Sequence, residues 1–127
     1  MIEQKIKDLG YELPEAPKPL AAYIPALMDG KNVYTAGQIS LVGGKLKYEG
    51  KVGKSVNLEE AKKAAEICTI KCLSAIKTVI GSLDNIDRVL KVTVYVNSAN
   101  DFYDQAKVAN GASELLGKIF GDSGMHV

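Results

Sequence analysis

Residues 31–41 read KNVYTAGQISL and predict the central strand of the fold. Alternate residues of this stretch fall on two faces of an extended chain, one with Val33, Thr35, Gly37 and Ile39, the other with Tyr34, Ala36 and Gln38. A period of two built from β-branched and aromatic residues is typical of a β-strand. Gly37 lies inside that strand without a turn partner, so it marks either a bulge or a place where another backbone or a ligand comes close.

Two further strands are predicted downstream. Gly43 and Gly44 predict a hairpin turn, after which a second strand carrying Leu46, Tyr48 and Val52 returns beside the first. Residues 88–96 give the strongest strand pattern, with one apolar face made by Leu90, Val92, Val94 and Val96 and one mixed face made by Val89, Lys91, Thr93, Tyr95 and Asn97. We expect the apolar face to contact helices and the mixed face to line an interface between subunits.

Two long helices are predicted. The first runs from about Leu58 to Ile80, with Asn57 and Glu60 as a capping box and Gly81 as its stop. Small residues recur along it at helical spacing, namely Ala61, Ala65, Cys68, Cys72, Ala75 and Val79. The second runs from near Asp101 to about Phe120, with a stripe of Val108, Ala112, Leu115 and Ile119. Gly111 interrupts it, which indicates a packing or ligand reason for that glycine.

The N-terminal 20 residues predict a short helix followed by an arm. Ile2, Ile6 and Leu9 form an amphipathic stripe that stops at Gly10. The four prolines then follow closely, at positions 14, 17, 19 and 25, and predict a stiff extended connector. The order of elements predicts one α+β domain over residues 1–127, with two long helices packed on one face of a mixed sheet.

Composition sets limits on function. The 127 residues have a hydrophobic content of 46% and a formal net charge of +1 without a basic run, so nucleic acid is disfavoured as a main partner. No apolar run is long enough to cross a membrane and no signal layout opens the chain, so we expect a cytoplasmic protein with no membrane partner. Cys68 and Cys72 are expected to be small core residues rather than metal ligands.

Catalytic motifs are absent from the sequence. It has no H-E-x-x-H, no P-loop and no G-x-G-x-x-G opening a helix. Its one histidine, His126, lies near the end of the chain, which argues against a Ser-His-Asp hydrolase. Residue chemistry alone therefore predicts an α+β domain with an unusual glycine in a strand.

Three ordered motifs extend this interpretation: YTAGQISL, KVTVYVNSANDF and KVANGASELLGKIFG. Together they resemble the RidA/YjgF family of reactive-intermediate deaminases, in a branch that differs from the deaminases proper. The resemblance implies a chorismate-mutase-like fold, a homotrimer with small-molecule clefts between subunits, and no metal or organic cofactor. It also implies hydrolysis of enamines and imines such as 2-aminoacrylate. Older labels for the family include L-PSP endoribonuclease and translation inhibitor.

The resemblance also assigns candidate site residues. Tyr23 matches the cleft tyrosine, whose hydroxyl holds or protonates substrate, and an aromatic at a strand edge is the alternative. Gly37 matches the glycine whose backbone approaches the ligand, while Ala36 stands where the deaminase motif has serine. Asn110 matches a helix asparagine that faces the cleft, and a solvated helix residue is the alternative.

The family's carboxylate-binding arginine and later catalytic glutamate have no counterpart here, and Arg88 does not match that arginine by motif. We therefore expect residues 1–127 to be an incomplete domain that lacks the C-terminal strands, is less stable than an extended version, and lacks deaminase activity. Three functions follow in order: an enamine or imine deaminase, a non-catalytic trimer that binds a small carboxylate or metabolite, and an endoribonuclease.

Overall fold

The computed structural model describes residues 1–16, 18 and 21–127. Within them it has three α-helices, α1 (Ile2–Asp8), α2 (Leu58–Ile80) and α3 (Gln105–Phe120). Four short strands form two antiparallel hairpins, β1 (Ala26–Asp29) with β2 (Asn32–Thr35), and β3 (Leu41–Val42) with β4 (Lys45–Leu46). Among the described residues, none of the helices combines the length and apolarity that crossing a membrane requires.

The chain divides into two compact units. The first comprises residues 1–38 and 69–87, and the second comprises residues 39–68 and 88–127. The α+β class is confirmed, whereas the mixed sheet is not: within the described residues, the strands form only the two small antiparallel hairpins. Of the predicted proline arm, Pro17 and Pro19 lie outside the described residues.

In the first unit, α1 ends as its sequence predicts. Gly10 has φ +92°, its N–H donates to the carbonyl of Lys7 (2.9 Å), and the N–H of Tyr11 donates to that of Ile6 (3.1 Å). This pair of bonds is a Schellman motif, and it needs the left-handed glycine. Ile6 is fully buried. The Glu3 carboxylate accepts from the N–H of Leu83 (3.0 Å), which ties α1 to the 3-10 turn after α2.

The predicted strand over residues 31–41 is only partly correct. Its ladder with β1 pairs Ala26 with Thr35 and stops there. The next bond, from the N–H of Ala36 to the carbonyl of Pro25 (2.8 Å), is one-sided because proline has no N–H to return it. Residues 36–40 therefore form no strand, and Gly37 lies beyond the end of β2.

The burial pattern changes phase where the ladder ends. Val33 and Thr35 are half-buried, as the alternation predicts, but Ala36 is half-buried as well, while Gly37 is exposed. Two consecutive residues thus face inward. The alternation read from the sequence is correct for the first half of the segment and shifts by one residue in the second half.

In the second unit, the Gly43-Gly44 turn is confirmed. Both glycines have positive φ, +58° and +80°, as a type I′ hairpin requires. The returning strand is shorter than predicted, since β4 ends at Leu46. Tyr48 then adopts φ +61°, a left-handed conformation that ends the extended run.

Helix α2 has the predicted bounds and caps. The N–H of Glu60 donates to Asn57 Oδ1 (2.9 Å), and the N–H of Asn57 donates to Glu60 Oε1 (3.1 Å), which is a reciprocal capping box. At the other end Gly81 has φ +83° and its N–H bonds to the carbonyl of Lys77. The predicted small-residue stripe is half-buried or buried throughout, and the larger Ile70 and Leu73 are buried beside it.

Helix α3 buries all four predicted stripe residues and begins at Gln105, later than predicted. Gly111 has a packing role, because a Cβ built on it would overlap the carbonyl oxygen of Lys62. The close neighbour is therefore the first part of α2. Val108 joins Val52, Val56 and Ala61 in a core cluster, against which Tyr48, Leu58, Val96 and Phe102 pack.

Residues 88–96 form no strand, contrary to the prediction. Val92, Val94 and Val96 are half-buried while Lys91, Thr93 and Tyr95 are exposed, so the alternation itself is confirmed there. Leu90 is exposed, against the prediction. Side-chain alternation indicates an extended chain, but a strand also needs a ladder. The N–H groups of Val89 and Val92 instead bond to the carbonyls of Ser123 and Val127.

Candidate functional site

The first unit places Tyr23, Ala36 and Gly37 on two neighbouring chain segments. The bond from the Ala36 N–H to the Pro25 carbonyl joins these segments two residues after Tyr23 and one residue before Gly37. Tyr23 is 43% exposed. Gly37 is exposed, and a Cβ built on it would have no atom within 4 Å. The segment therefore offers a ring with a hydroxyl group and an accessible stretch of backbone on the same part of the molecule.

The sequence left two explanations for Gly37, a bulge or a close approach. Its φ does not lie in the left-handed region, and the space at its Cβ position is open. Within the described residues, no backbone crowds it. The glycine lies instead where the strand ends, so its backbone is free of ladder constraints and open to an incoming molecule.

A side-chain contact holds the strand just before this point. Thr35 Oγ1 donates to Cys72 Sγ across 3.6 Å, which links the end of β2 to α2. Burial raises the pKa of the Cys72 thiol, with the Thr35 hydrogen bond opposing that rise. Cys68 and Cys72 are both half-buried and form no disulfide bond.

Asn110 belongs to the second unit. It is exposed on α3, between the buried residues Val108 and Gly111, and so lies outside the core stripe of that helix. This exposure leaves the amide accessible from solvent. Its role at a ligand cleft stays a prediction from the family resemblance.

Sequence reasoning missed a second group of polar residues near the end of the chain. Ser113 Oγ lies 2.8 Å from His126 Nε2, and Arg88 donates to the carbonyl of Met125 (2.8 Å). A groove of about 550 Å³ adjoins them, lined by Arg88, Leu90, Lys91, Met125, His126 and Val127. A serine and a histidine 13 residues apart give no motif, so no signal in the sequence predicts this pair.

The Ser113–His126 pair resembles the first half of a nucleophile–base arrangement. The other ring nitrogen, Nδ1, lies 3.1 Å from the carbonyl oxygen of Val127 rather than beside a carboxylate. Among the residues that the structure describes, no group of three or more His, Cys, Asp or Glu could hold a metal ion.

Comparison with known proteins supports one family over nearly the whole chain. Residues 3–127 match the model of the family described as "YjgF/chorismate mutase-like, putative endoribonuclease". The chain is 34% identical over 123 residues to Protein TCP17 of Trypanosoma cruzi, which covers 95% of this chain and 76% of that protein.

Two crystal structures have the same fold. The protein Atu1372 from Agrobacterium tumefaciens, whose function is unknown, is 36% identical with a TM-score of 0.91, over 99% of this chain and 78% of that one. A Shewanella oneidensis MR-1 protein, described as a putative endoribonuclease, is 29% identical with a TM-score of 0.90, over 100% of this chain and 84% of that one. The family match and these relatives agree with the three sequence motifs, and the chain belongs to the YjgF/chorismate mutase-like family.

Proposed function

We propose that this protein is a deaminase that hydrolyses enamines and imines such as 2-aminoacrylate. The observation that supports this is the placement of Tyr23 and Gly37 on two segments joined by the Pro25–Ala36 bond, with a phenol and an open backbone amide both accessible. A small planar substrate needs few contacts to be oriented, and a hydroxyl with a backbone N–H supplies both a proton relay and a hydrogen-bond donor.

The reaction needs no oxidant or cofactor. Protonation of the enamine carbon gives the iminium ion, and water adds to the iminium carbon and loses a proton to give a carbinolamine. The amine nitrogen then takes up a proton, the carbinolamine hydroxyl gives up its own proton, and the C=O bond forms as the C–N bond breaks, which releases ammonia and leaves the 2-keto acid. In this scheme the Tyr23 hydroxyl moves the proton, and the Gly37 N–H orients the substrate by hydrogen bonding.

Positions 36 and 110 also belong to the candidate site that the family resemblance assigns. Ala36 stands where the deaminase motif of the family has serine, so one hydroxyl contact with the ligand is lost. Asn110 keeps the role that the family resemblance implies, a cleft-facing amide, and its side chain is exposed on α3.

The proposal includes a homotrimer with ligand clefts between subunits. Its support is the exposed face of residues 91–95, where Tyr95 is 93% exposed, together with the exposed cross-strand pair of Leu27 and Tyr34 on the first hairpin. Exposed aromatic and apolar surface of this kind is common where subunits meet. Thr93→Asp places a charge on that face and should shift the assembly towards monomer in sedimentation velocity. A parent protein that sediments only as monomer at micromolar concentration would refute the trimer.

The activity is tested by generating 2-aminoacrylate enzymatically and measuring the release of ammonia and pyruvate. Tyr23→Phe removes the hydroxyl alone, and Tyr103→Phe is its matched control because Tyr103 is 83% exposed and distant in sequence from Tyr23 and Gly37. Gly37→Val should abolish substrate binding and still fold, because the Cβ position is open. Unchanged kinetics in both Tyr23→Phe and Gly37→Val would place the site elsewhere.

The second candidate is a non-catalytic small-molecule binding protein, favoured by the alanine at position 36, where the deaminase motif of the family has serine. It predicts that pyruvate binds, that Gly37→Val abolishes this binding, and that the parent does not accelerate ammonia release. Turnover by the parent would contradict this candidate, and it would also overturn the expectation from the sequence that residues 1–127 lack deaminase activity.

The endoribonuclease label of the family and of the Shewanella protein gives a third candidate, which the net charge of +1 disfavours. Cleavage of a labelled single-stranded RNA that Gly37→Val and Tyr23→Phe both slow would favour it over the deaminase.

A further inference from the structure

The end of strand β2 is held by a contact that sequence patterns do not predict. Thr35 is the last residue of the β1–β2 ladder, and its hydroxyl donates to the Cys72 sulfur across 3.6 Å. The two residues that follow, Ala36 and Gly37, have left the ladder. Two hydrogen bonds therefore position the backbone of Ala36 and Gly37. One joins the Thr35 hydroxyl to the Cys72 sulfur, and the other joins the Ala36 N–H to the Pro25 carbonyl.

Cys72 suits a structural role better than a chemical one. Its thiol is half-buried on α2, and burial raises its pKa, so at neutral pH it remains a neutral thiol. A neutral buried thiol is a poor nucleophile but can still accept a hydrogen bond from a hydroxyl. The small sulfur also allows β2 to lie close to the helix, which a larger side chain would prevent.

We propose that Thr35 and Cys72 are positioning residues that fix the backbone of Ala36 and Gly37 in the orientation that binds the ligand. This inference rests on the proposed function, since it deepens the assignment of Gly37. The contact couples the ligand-facing backbone to α2, so a change in the helix at position 72 reaches the site without touching the ligand.

A packing role alone would depend on the size of these side chains, whereas a positioning role through the hydrogen bond depends on the hydroxyl. Thr35→Val keeps the β-branched shape, which suits a strand, and removes only the hydroxyl. Thr35→Ser keeps the hydroxyl and removes a methyl group. Thr78→Val is the matched control, because the Thr78 hydroxyl donates to the carbonyl of Ala75 within α2.

The experiment compares amide hydrogen exchange and ¹⁵N–¹H chemical shifts of Ala36 and Gly37 with the affinity for pyruvate and with the kinetics on 2-aminoacrylate. For Thr35→Val we expect faster exchange at both amides and pyruvate binding weaker by about fivefold, as the loss of one hydrogen bond predicts. If there is turnover, KM should rise more than kcat falls. Thr35→Ser should restore the exchange rates, and Thr78→Val should leave every readout unchanged.

The outcomes separate this inference from the function on which it rests. Unchanged amide exchange at Ala36 and Gly37 in Thr35→Val would overturn the positioning role, whatever the activity. Disturbed amides with unchanged pyruvate affinity would overturn the ligand site at Gly37 and the functional role of the pair with it. Cys72→Ala removes the acceptor and serves as the second variant if Thr35→Val folds poorly, with the same faster exchange expected at Ala36 and Gly37.

Discussion

Gly111→Ala tests the closest helix contact in the second unit. The added Cβ would overlap the carbonyl oxygen of Lys62 and lie 3.0 Å from its carbonyl carbon. Real Cβ atoms essentially never come closer than 3.0 Å, so the backbone of one helix would have to shift away from the other. Both partners are backbone or fixed to backbone, and no rotamer change relieves the overlap.

Two opposing effects set the magnitude. Replacing a glycine by alanine inside a helix gains about 1 kcal/mol of helix propensity. Forcing an extra methyl group into a close contact costs typically about 1–3 kcal/mol, and we expect the upper end because the backbone cannot yield locally. The free energy of unfolding should therefore fall by about 2 kcal/mol for Gly111→Ala.

Gly117→Ala on the same helix is the matched control. A Cβ at Gly117 would meet nothing within 4 Å, so only the propensity gain of about 1 kcal/mol applies. Thermal melts followed by circular dichroism should move in opposite directions, with Tm falling by about 6–10 °C for Gly111→Ala and rising by about 3–5 °C for Gly117→Ala. A rise in Tm for both variants would refute the close approach of α3 to α2.

Three further predictions concern stability. Asn57→Ala removes one half of the capping box of α2 and should lower the free energy of unfolding, measured by urea titration, by about 1 kcal/mol. Asn57→Asp keeps a side-chain acceptor at the cap and should retain most of this stabilisation. The hydrogen bond from the N–H of Leu83 holds the pKa of the Glu3 carboxyl below its usual value, so this group stabilises the fold at neutral pH and loses that contribution as pH falls through its folded pKa. In urea titrations, the parent's free energy of unfolding should exceed that of Glu3→Gln at pH 7, and this difference should shrink as the pH falls to 3. A difference that stays constant over this range would contradict the stabilising role of the Glu3 carboxylate. Ser74 is buried and donates to the carbonyl of Pro14 at 2.7 Å, so Ser74→Ala should cost about 1–2 kcal/mol and increase hydrogen exchange in residues 11–16.

The helices could be predicted from sequence because their signals are local. Asn57, Glu60 and Gly81 act on groups within one turn of themselves, and the structure confirms each of them. The stripe of α3 was correct for the same reason, since helical periodicity depends on spacing along one segment. The start of α3 was not, because Asp101 lies in a turn and residues 102–104 precede the helix without regular structure. Asp104 occupies the N-cap position but makes no side-chain cap hydrogen bond.

The strands were harder because a ladder needs a partner. Strand β1 has only four residues, too short for an alternation to be recognised, and yet it fixes where β2 ends. Pro25 stops the ladder from the partner's side, which the pattern of residues 31–41 could not show. Residues 88–96 alternate as predicted from Lys91 onwards without forming a strand, since alternation sets side-chain direction and not hydrogen bonding.

The candidate site was predicted only through the family resemblance. Tyr23 and Gly37 are 14 positions apart, and their relation depends on the Pro25–Ala36 bond, which no local pattern encodes. The contact between Thr35 and Cys72 spans 37 positions and joins a strand to a helix. Long-range pairs of this kind carry no spacing signal in a single sequence.

The positive φ of Tyr48 determines which amino acids can replace tyrosine at this position. A side chain with φ +61° costs about 1–2 kcal/mol relative to the usual backbone, and the ring offsets that cost by packing against the core cluster of Val52, Val56, Ala61 and Val108. Phenylalanine keeps this compensation, and asparagine or glycine gives up the ring but relaxes the backbone. Valine and isoleucine neither replace the ring in the core cluster nor relax the backbone. A saturation library at this codon should therefore rank asparagine and glycine above the β-branched aliphatics, the reverse of the order that hydrophobicity would give for a half-buried position.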